Sequence, residues 1–200
     1  MSSSAATPLR VVSTESTRRR LSAKQAATVQ RLTAATVDEL RREGYEGLTV
    51  RNVARTAGVA PATAYTYFAS REHLVTEVFW RRLEALADTT LTRRRSARSR
   101  VAAVMADLAL LVADEPELAA ACTVAMLSND PDVRLLRDRI GREMRRRLQE
   151  ALGDTADLAV LTTLEFAVSG ALLHAGMGYQ SYDALPDQLE RVVAIVVPAG

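Results

Sequence analysis

Apolar residues recur every three or four positions along most of this 200-residue chain. An α-helix has 3.6 residues per turn, so this spacing gathers the apolar side chains on one helical face. Ala and Leu, both strong helix formers, dominate the apolar share, and only nine Gly and six Pro interrupt the pattern. Since no segment carries a convincing strand pattern, the sequence predicts an all-α fold of about nine helices.

Breaks in the periodicity set the expected helix ends. Gly44 is expected to stop the first helix and Gly58 the second, because glycine favours the left-handed turn that follows a helix. A β-branched run at 192–197 keeps the helical period and is predicted as helix. The predicted helices cover about residues 24–44, 49–57, 61–68, 70–86, 100–114, 117–127, 132–152, 155–177 and 184–197.

The chain divides into three predicted segments. Residues 1–22 are rich in Ser, Thr and Arg without a hydrophobic period, which is typical of a flexible basic arm. Its arginines 18–20 either touch a phosphate backbone or belong to a solvated tail. Residues 23–82 form a compact helical unit, and residues 83–200 form a longer one.

The formal net charge is only +2, but its distribution is uneven. Residues 1–90 contain 13 basic and 9 acidic side chains, whereas residues 91–200 contain 13 and 15. The front of the chain is therefore the basic part, as expected of a segment that meets an anionic partner.

Cysteine usage and hydropathy limit the compartment and the chemistry. Cys122 is the single cysteine, so no intrachain disulfide can form, and no zinc-site spacing of Cys and His occurs. No apolar run approaches the roughly 20 residues of a membrane helix, and no export signal is recognised. We expect a cytoplasmic protein without cofactor, metal or membrane partner.

Residues 49–68 carry the pattern of two short helices joined by a tight turn. Thr49 is placed to cap the first helix, Gly58 to supply a left-handed turn, and Pro61 to begin the second helix. The pattern predicts a helix-turn-helix, whose second helix enters the major groove of DNA. On a helical wheel the inward side chains are Ala64, Tyr67 and Phe68, and the outward ones are Ala62, Tyr65 and Thr66.

Three stretches of the front unit carry a family signature. They are Glu43-Gly-Tyr-Glu-Gly-Leu-Thr-Val, Asn52-Val-Ala-Arg-Thr-Ala-Gly-Val and Ala64-Tyr-Thr-Tyr-Phe-Ala-Ser-Arg-Glu-His-Leu74. Through them, residues 24–82 resemble the DNA-binding domain of the TetR family of bacterial regulators. The later stretches Asp114-Glu-Pro-Glu117 and Asp132-Val-Arg-Leu-Leu-Arg-Asp-Arg139 resemble an actinobacterial branch of that family that senses lipid-derived ligands.

The resemblance implies a role on DNA for individual residues. Arg51 matches a position that reaches a base edge, where a guanidinium binds guanine O6 and N7 together. Short side chains at the start of the recognition helix favour thymine methyl contacts and readout of DNA shape. These groove-entering positions match Pro61, Ala62 and Thr63, and the phosphate-contacting positions match Thr49, Tyr65, Tyr67 and Arg71.

Two of these assignments have alternatives. Tyr67 lies toward the inner face, so it is equally a core residue with only its hydroxyl at the surface, and family members often carry His there. Arg71, like Arg55, is alternatively a plain solvated side chain.

The last two predicted helices carry the expected dimer interface. Ala167, Ala171 and Ala175 lie four residues apart, so a second helix can approach closely. In the resembled family, the last two helices pack against their copies in a four-helix interface. The alternative is that both helices belong to the core of one chain. The apolar face that the final helix would contribute consists of Leu185, Leu189, Val192, Val193 and Val196.

Larger, softer or polar side chains interrupt the Leu, Ala and Val interior of the second unit. We expect them to line a ligand cavity, although Met and Cys are also common core residues and His174 equally fits an interface. Two Arg-rich stretches, 93–100 and 134–147, either meet an anionic group such as a CoA phosphate or are solvated helix faces. The expected cavity residues are Met105, Leu108, Cys122, Met126, Phe166 and His174.

These patterns together favour a homodimeric DNA-binding regulator. The resemblance implies a repressor that a small apolar or lipid-derived effector, such as an acyl-CoA, releases from a palindromic operator. One alternative is a DNA-binding protein without an effector. A small helical enzyme is disfavoured, because only His73 and His174 are available as histidines and no catalytic motif appears.

Overall fold

A computed structural model describes residues 23–87 and 96–198 of the chain. Within these ranges every long element is helical, which confirms the all-α prediction. The predicted arm and residues 93–95 of the connector lie outside the described residues. The helices are α1 (Ala23–Gly47), α2 (Val50–Thr56), α3 (Pro61–Tyr65), α4 (Arg71–Ala85), α5 (Ala97–Ala109), α6 (Pro116–Ala125), α7 (Pro131–Leu152), α8 (Leu158–Gly176) and α9 (Leu185–Val196).

Helices α1 to α3 form the front unit around a small aliphatic core. Leu32 and Leu40 of α1 are buried against Val53 of α2 and Phe68 beyond α3. Gly44 adopts a positive φ of 66°, as the sequence predicted, but it kinks α1 rather than ending it, and the helix resumes as far as Gly47.

Two helix ends differ from the prediction. α3 ends at Tyr65, earlier than the expected residue 68. α5 begins at Ala97 because the Ser96 side chain accepts a hydrogen bond from the amide of Ser99 (3.3 Å), so residues 97–100 are helical rather than a connector. A serine within an arginine-rich stretch gave too weak a signal for this helix start.

The second unit packs α5 against α7 and α9, with α8 on α9. The core is built from buried aliphatic side chains of all five helices from α5 to α9. α6 contacts α1 and α4, and α7 contacts α4, so the two units share a continuous interior.

Helix α8 is apolar around most of its circumference. It is the one helix among the described residues that is long and apolar enough to cross a membrane, with a mean hydropathy of 1.6. Only 22% of that apolar stretch is buried within the chain. Because a single such helix is weak evidence for a membrane span, the feature that matters is a large apolar surface left uncovered.

The C-terminal end of α8 touches α6 so closely that only glycine fits. A Cβ at Gly176 would lie 1.8 Å from Thr123 Oγ1. We predict that Gly176→Ala lowers the free energy of unfolding by about 1–3 kcal/mol, because α6 and α8 must separate. Urea unfolding at fixed protein concentration measures the change.

Gly141 of α7 supplies the matched control. It is also helical, but a Cβ there meets no atom within 4 Å, so Gly141→Ala should stabilise by about 0.5–1 kcal/mol. Adding Thr123→Ala to Gly176→Ala should restore part of the loss. Wild-type stability for Gly176→Ala alone would show that the two helices do not meet there.

Candidate nucleic-acid interface

The turn between α2 and α3 is tightly defined. The Thr49 side chain accepts a hydrogen bond from the amide of Asn52 (3.0 Å) and so caps α2. Gly58 has a φ of 62°, the left-handed conformation that glycine adopts at little cost. The amide of Val59 then donates to the carbonyl of Ala54 (2.9 Å), and Pro61 opens α3. These local hydrogen bonds fix the angle at which α3 leaves the turn.

α3 presents one side to the core and the other to solvent. Ala64 and Phe68 are buried, as the wheel predicted. Tyr67 is half-buried and packs against the core, so the structure favours the alternative in which mainly its hydroxyl reaches the surface. The exposed side chains of this segment are those of Pro61, Ala62, Thr63, Tyr65 and Thr66.

Arg51 projects from the first turn of α2. Its side chain is exposed and makes no hydrogen bond or ion pair with any residue in 23–87 or 96–198. Thr49, two residues earlier, is exposed as well. A cation and a hydroxyl therefore stand beside the outer side of α3, free to meet a ligand.

Arg71 is used differently from the sequence expectation. Its guanidinium donates to the carbonyl of Tyr45 (3.0 Å) and lies 4.4 Å above the centre of the Tyr45 ring. Its Nε donates to Glu72 (3.1 Å). Arg71 thus braces the start of α4 against the end of α1, instead of standing free for a phosphate as the family position implies.

Tyr45 completes this brace. Its hydroxyl donates to Glu72 Oε1 (3.0 Å). Burial, together with this hydrogen bond to a carboxylate, raises the pKa of Tyr45 to about 12. The phenol therefore stays neutral and remains a donor at any physiological pH.

Glu39 is a structural residue that the sequence analysis did not identify. Its carboxylate is fully buried in α1, where it accepts hydrogen bonds from Thr56 of α2 and Arg42. It thereby links α1 to the end of α2. A glutamate in a helix gives no sign in the sequence that it will be buried, so no pattern could have identified it.

Charged contacts join the front unit to the second unit. Arg41 of α1 donates through Nε to Glu115 (2.9 Å), just before α6. Arg82 of α4 donates to Asp114 (2.5 Å) and to the carbonyl of Leu111 (3.1 Å). The orientation of α3 is therefore tied to the second unit through α1 and α4.

The six expected cavity residues do not come together. Met105, Leu108 and Cys122 are buried in the core, and burial raises the pKa of the Cys122 thiol to about 12. Phe166 is 74% exposed on α8, and His174 is also exposed. Periodicity could not identify the inner face of α8 because the helix is apolar nearly all round. Met126 is half-buried at the end of α6.

The clefts described in the structure lie elsewhere. One of about 150 Å³ opens between the front unit and α7, beside Phe68, His73 and Asp132. A more open one of about 400 Å³ lies beside Arg82 and Leu110. Neither is lined by the six residues, and among the described residues no group of His, Cys, Asp and Glu is placed to hold a metal ion.

The expected dimer residues divide between core and surface. Ala175, Leu189 and Val193 are buried within the chain, so they are core residues as in the alternative stated for them. The apolar side chains left at the surface of α8 and α9 are different ones, namely Phe166, Leu173, Met177 and Ile195. The expected residues that are half-buried are Ala167, Ala171, Val192 and Val196.

Comparisons with known proteins agree with this architecture. Residues 32–78 match the family described as bacterial regulatory proteins, tetR family. An uncharacterized HTH-type transcriptional regulator of Mycobacterium tuberculosis is 44% identical over 179 residues, which cover 87% of this chain and 82% of that relative. The HTH-type transcriptional repressor KstR of Rhodococcus jostii is 28% identical over 127 residues, 63% of this chain and 60% of the repressor.

Solved structures share the fold at lower identity. A TetR transcriptional regulator from Rhodococcus sp. RHA1 has a TM-score of 0.73 at 20% identity, covering 87% of this chain and 97% of that one. The regulator FadR from Bacillus subtilis, solved in complex with stearoyl-CoA, has a TM-score of 0.62 at 16% identity and covers 86% of this chain and 99% of its own. The likeness extends through both units.

Proposed function

This chain belongs to the TetR family of transcriptional regulators, which bind DNA, and from that premise we propose that it is a dimeric, ligand-released repressor. The observation that supports this most is the exposed side of α3, held on a tight turn beside the unpartnered cation of Arg51. We expect it to act in the cytoplasm, where its DNA lies.

Two kinds of DNA contact follow from the exposed side chains. Pro61, Ala62 and Thr63 present short groups that suit thymine methyls and a close fit to the groove. Thr49 and Tyr65 carry hydroxyls that suit phosphate oxygens, with Tyr67 contributing its hydroxyl at the margin. Arg71 is left out of this set, because its guanidinium is engaged by Tyr45 and Glu72.

Arg51 is the one proposed contact able to specify a base by a paired hydrogen bond. We predict that Arg51→Ala weakens binding to the preferred duplex by about 1–3 kcal/mol and relaxes the preference at one base pair. Fluorescence anisotropy on duplexes that differ at single positions measures both effects.

Arg55 is the control for Arg51, because it is also exposed on α2 and carries the same charge. Arg55→Ala should change affinity about equally for every sequence, as expected of a charge that only adds to the general attraction. A uniform loss for Arg51→Ala as well would make Arg51 a phosphate contact.

We further propose that the uncovered face of α8 meets a second copy. Phe166, Leu173 and Met177 lie at helical spacing on that face, and Ile195 of α9 is 85% exposed. An apolar face of this extent is unstable in water without a partner. Two copies would set the recognition helices about 34 Å apart, one turn of DNA, and require a near-palindromic site.

Replacing Phe166 tests this interface. We predict that Phe166→Arg yields monomers and weakens binding to a two-half-site duplex, because a charge would be buried at the contact. Sedimentation and anisotropy measure the two effects. Leu135→Arg, at an exposed apolar position on α7, should leave the dimer intact, and a dimeric Phe166→Arg variant would exclude this face.

The proposed effector is a small apolar or lipid-derived molecule. The second unit has an interior of aliphatic side chains with Met105 and Cys122 among them, which suits an apolar ligand better than a charged one. The fold is also that of the FadR structure solved with stearoyl-CoA. Such a ligand would release DNA only by binding more tightly to a conformer whose recognition helices are wrongly spaced.

Stearoyl-CoA is a direct probe of the effector class. We predict that it raises the melting temperature and releases bound duplex, since a ligand at 100 times its Kd stabilises the folded state by about 2.7 kcal/mol. Free CoA is the control for binding of the nucleotide alone. No thermal response to acyl-CoAs, fatty acids or steroids would contradict a lipid-derived effector.

A further inference from the structure

Helix α7 is bonded to the N-terminal end of α4. The Ser70 hydroxyl, which caps α4 by accepting from the amide of His73 (3.1 Å), donates to Asp130 Oδ2 (2.5 Å). The other oxygen of Asp130 caps α7 by accepting from the amide of Asp132 (2.8 Å). Two helix caps from different units are thus joined by one short hydrogen bond.

Helix α7 is also bonded to the C-terminal end of α4. Arg147 is a buried arginine whose Nη2 donates to the carbonyls of Leu83 (3.2 Å) and Leu86 (3.1 Å). Its Nη1 reaches the carbonyl of Ala87 (3.4 Å), and its Nε donates to Glu143 of its own helix (2.8 Å). The last carbonyls of α4, which lack partners within the helix, are therefore satisfied by a cation from α7.

These two attachments make α4 and α7 a parallel pair held at both ends. The bonded ends are 13 to 17 residues apart along each helix, or about 20–25 Å at 1.5 Å per residue. Arg139 of α7 adds a contact between them, since its guanidinium lies 5.4 Å from the centre of the Trp80 ring. α4 therefore cannot tilt or slide relative to α7 unless a buried charge or a helix cap loses its partner.

The N-terminal attachment lies next to the recognition helix. Ser70 follows α3 by only five residues, and the Phe68 ring, buried at the end of the α3 segment, makes an edge contact with the His73 ring at 5.2 Å. α7 itself packs on α5 and α8 in the second unit. A continuous path of buried contacts thus runs from the α8 face to the base of α3.

We propose that Asp130 and Arg147 are positioning residues for DNA recognition, which fix the direction of α3 relative to the dimerising helices by holding α4 to α7 at both ends. This inference rests on the proposed function. In a dimer, that direction sets the separation of the two recognition helices. The two residues therefore determine which spacing between half-sites the protein accepts, although neither touches DNA.

The test compares Arg147→Met with wild type on duplexes whose central spacer is changed by one or two base pairs, and on a single half-site. Wild type should lose about tenfold or more in affinity when the spacer changes, because simultaneous engagement depends on geometry. Arg147→Met should bind all spacers within about threefold of one another, with unchanged affinity for the half-site. Arg147→Lys, which keeps a cationic donor, should recover part of the spacing preference.

Arg145→Met is the matched control. Arg145 is also on α7, but it pairs with Glu165 of α8 (2.6 Å) and not with α4, so its loss should leave the spacing profile as in wild type. Asp130→Ser repeats the test at the other end of α4 with a residue that still caps a helix. It also serves if Arg147→Met does not fold.

The outcomes separate the two proposals. Wild type that binds no duplex overturns the proposed function, and this inference with it. Wild type with a sharp spacing preference, retained by both Arg147→Met and Asp130→Ser, overturns this inference alone. A variant that weakens every spacer by the same factor has only lost stability, and that result also counts against positioning.

Discussion

The close crossing of α2 and α3 is the contact on which the rest of this structure depends. Ala54 and Ala64 are fully buried where the two helices meet, and Gly58 takes the left-handed conformation that reverses the chain between them. Side chains larger than alanine at those positions would push α3 outward. Because the inner side of α3 is committed to this crossing, its outer side is left as a surface of defined direction.

The sequence predicted this front unit well because its signals are local. A capping threonine, a glycine at the turn and a proline at the start of a helix each act within a few residues, and Thr49, Gly58 and Pro61 fulfil those roles in the structure. Contacts between distant residues leave no such signal. The bonds of Arg71 to Tyr45 and of Arg147 to the end of α4 join residues 26 and more than 60 positions apart, so spacing alone could not reveal them.

The direction of α8 shows a second limit of sequence patterns. A helix with one apolar stripe reveals which side is buried, whereas α8 has apolar residues on most sides. The alanine stripe suggested a contact with a second copy, yet Ala175 packs inside its own chain and Phe166 and Leu173 are at the surface. The prediction of an interface helix therefore stays a proposal, but with a different face from the one the stripe indicated.

The direction of α3 matters only if it matches DNA, so the sites that the protein selects from a pool of random duplexes test the central claim most directly. The account predicts enrichment of a two-fold symmetric sequence, with half-site centres about one helical turn, roughly 34 Å, apart. Recovery of no preferred sequence at low salt, or of a single asymmetric site, would contradict it.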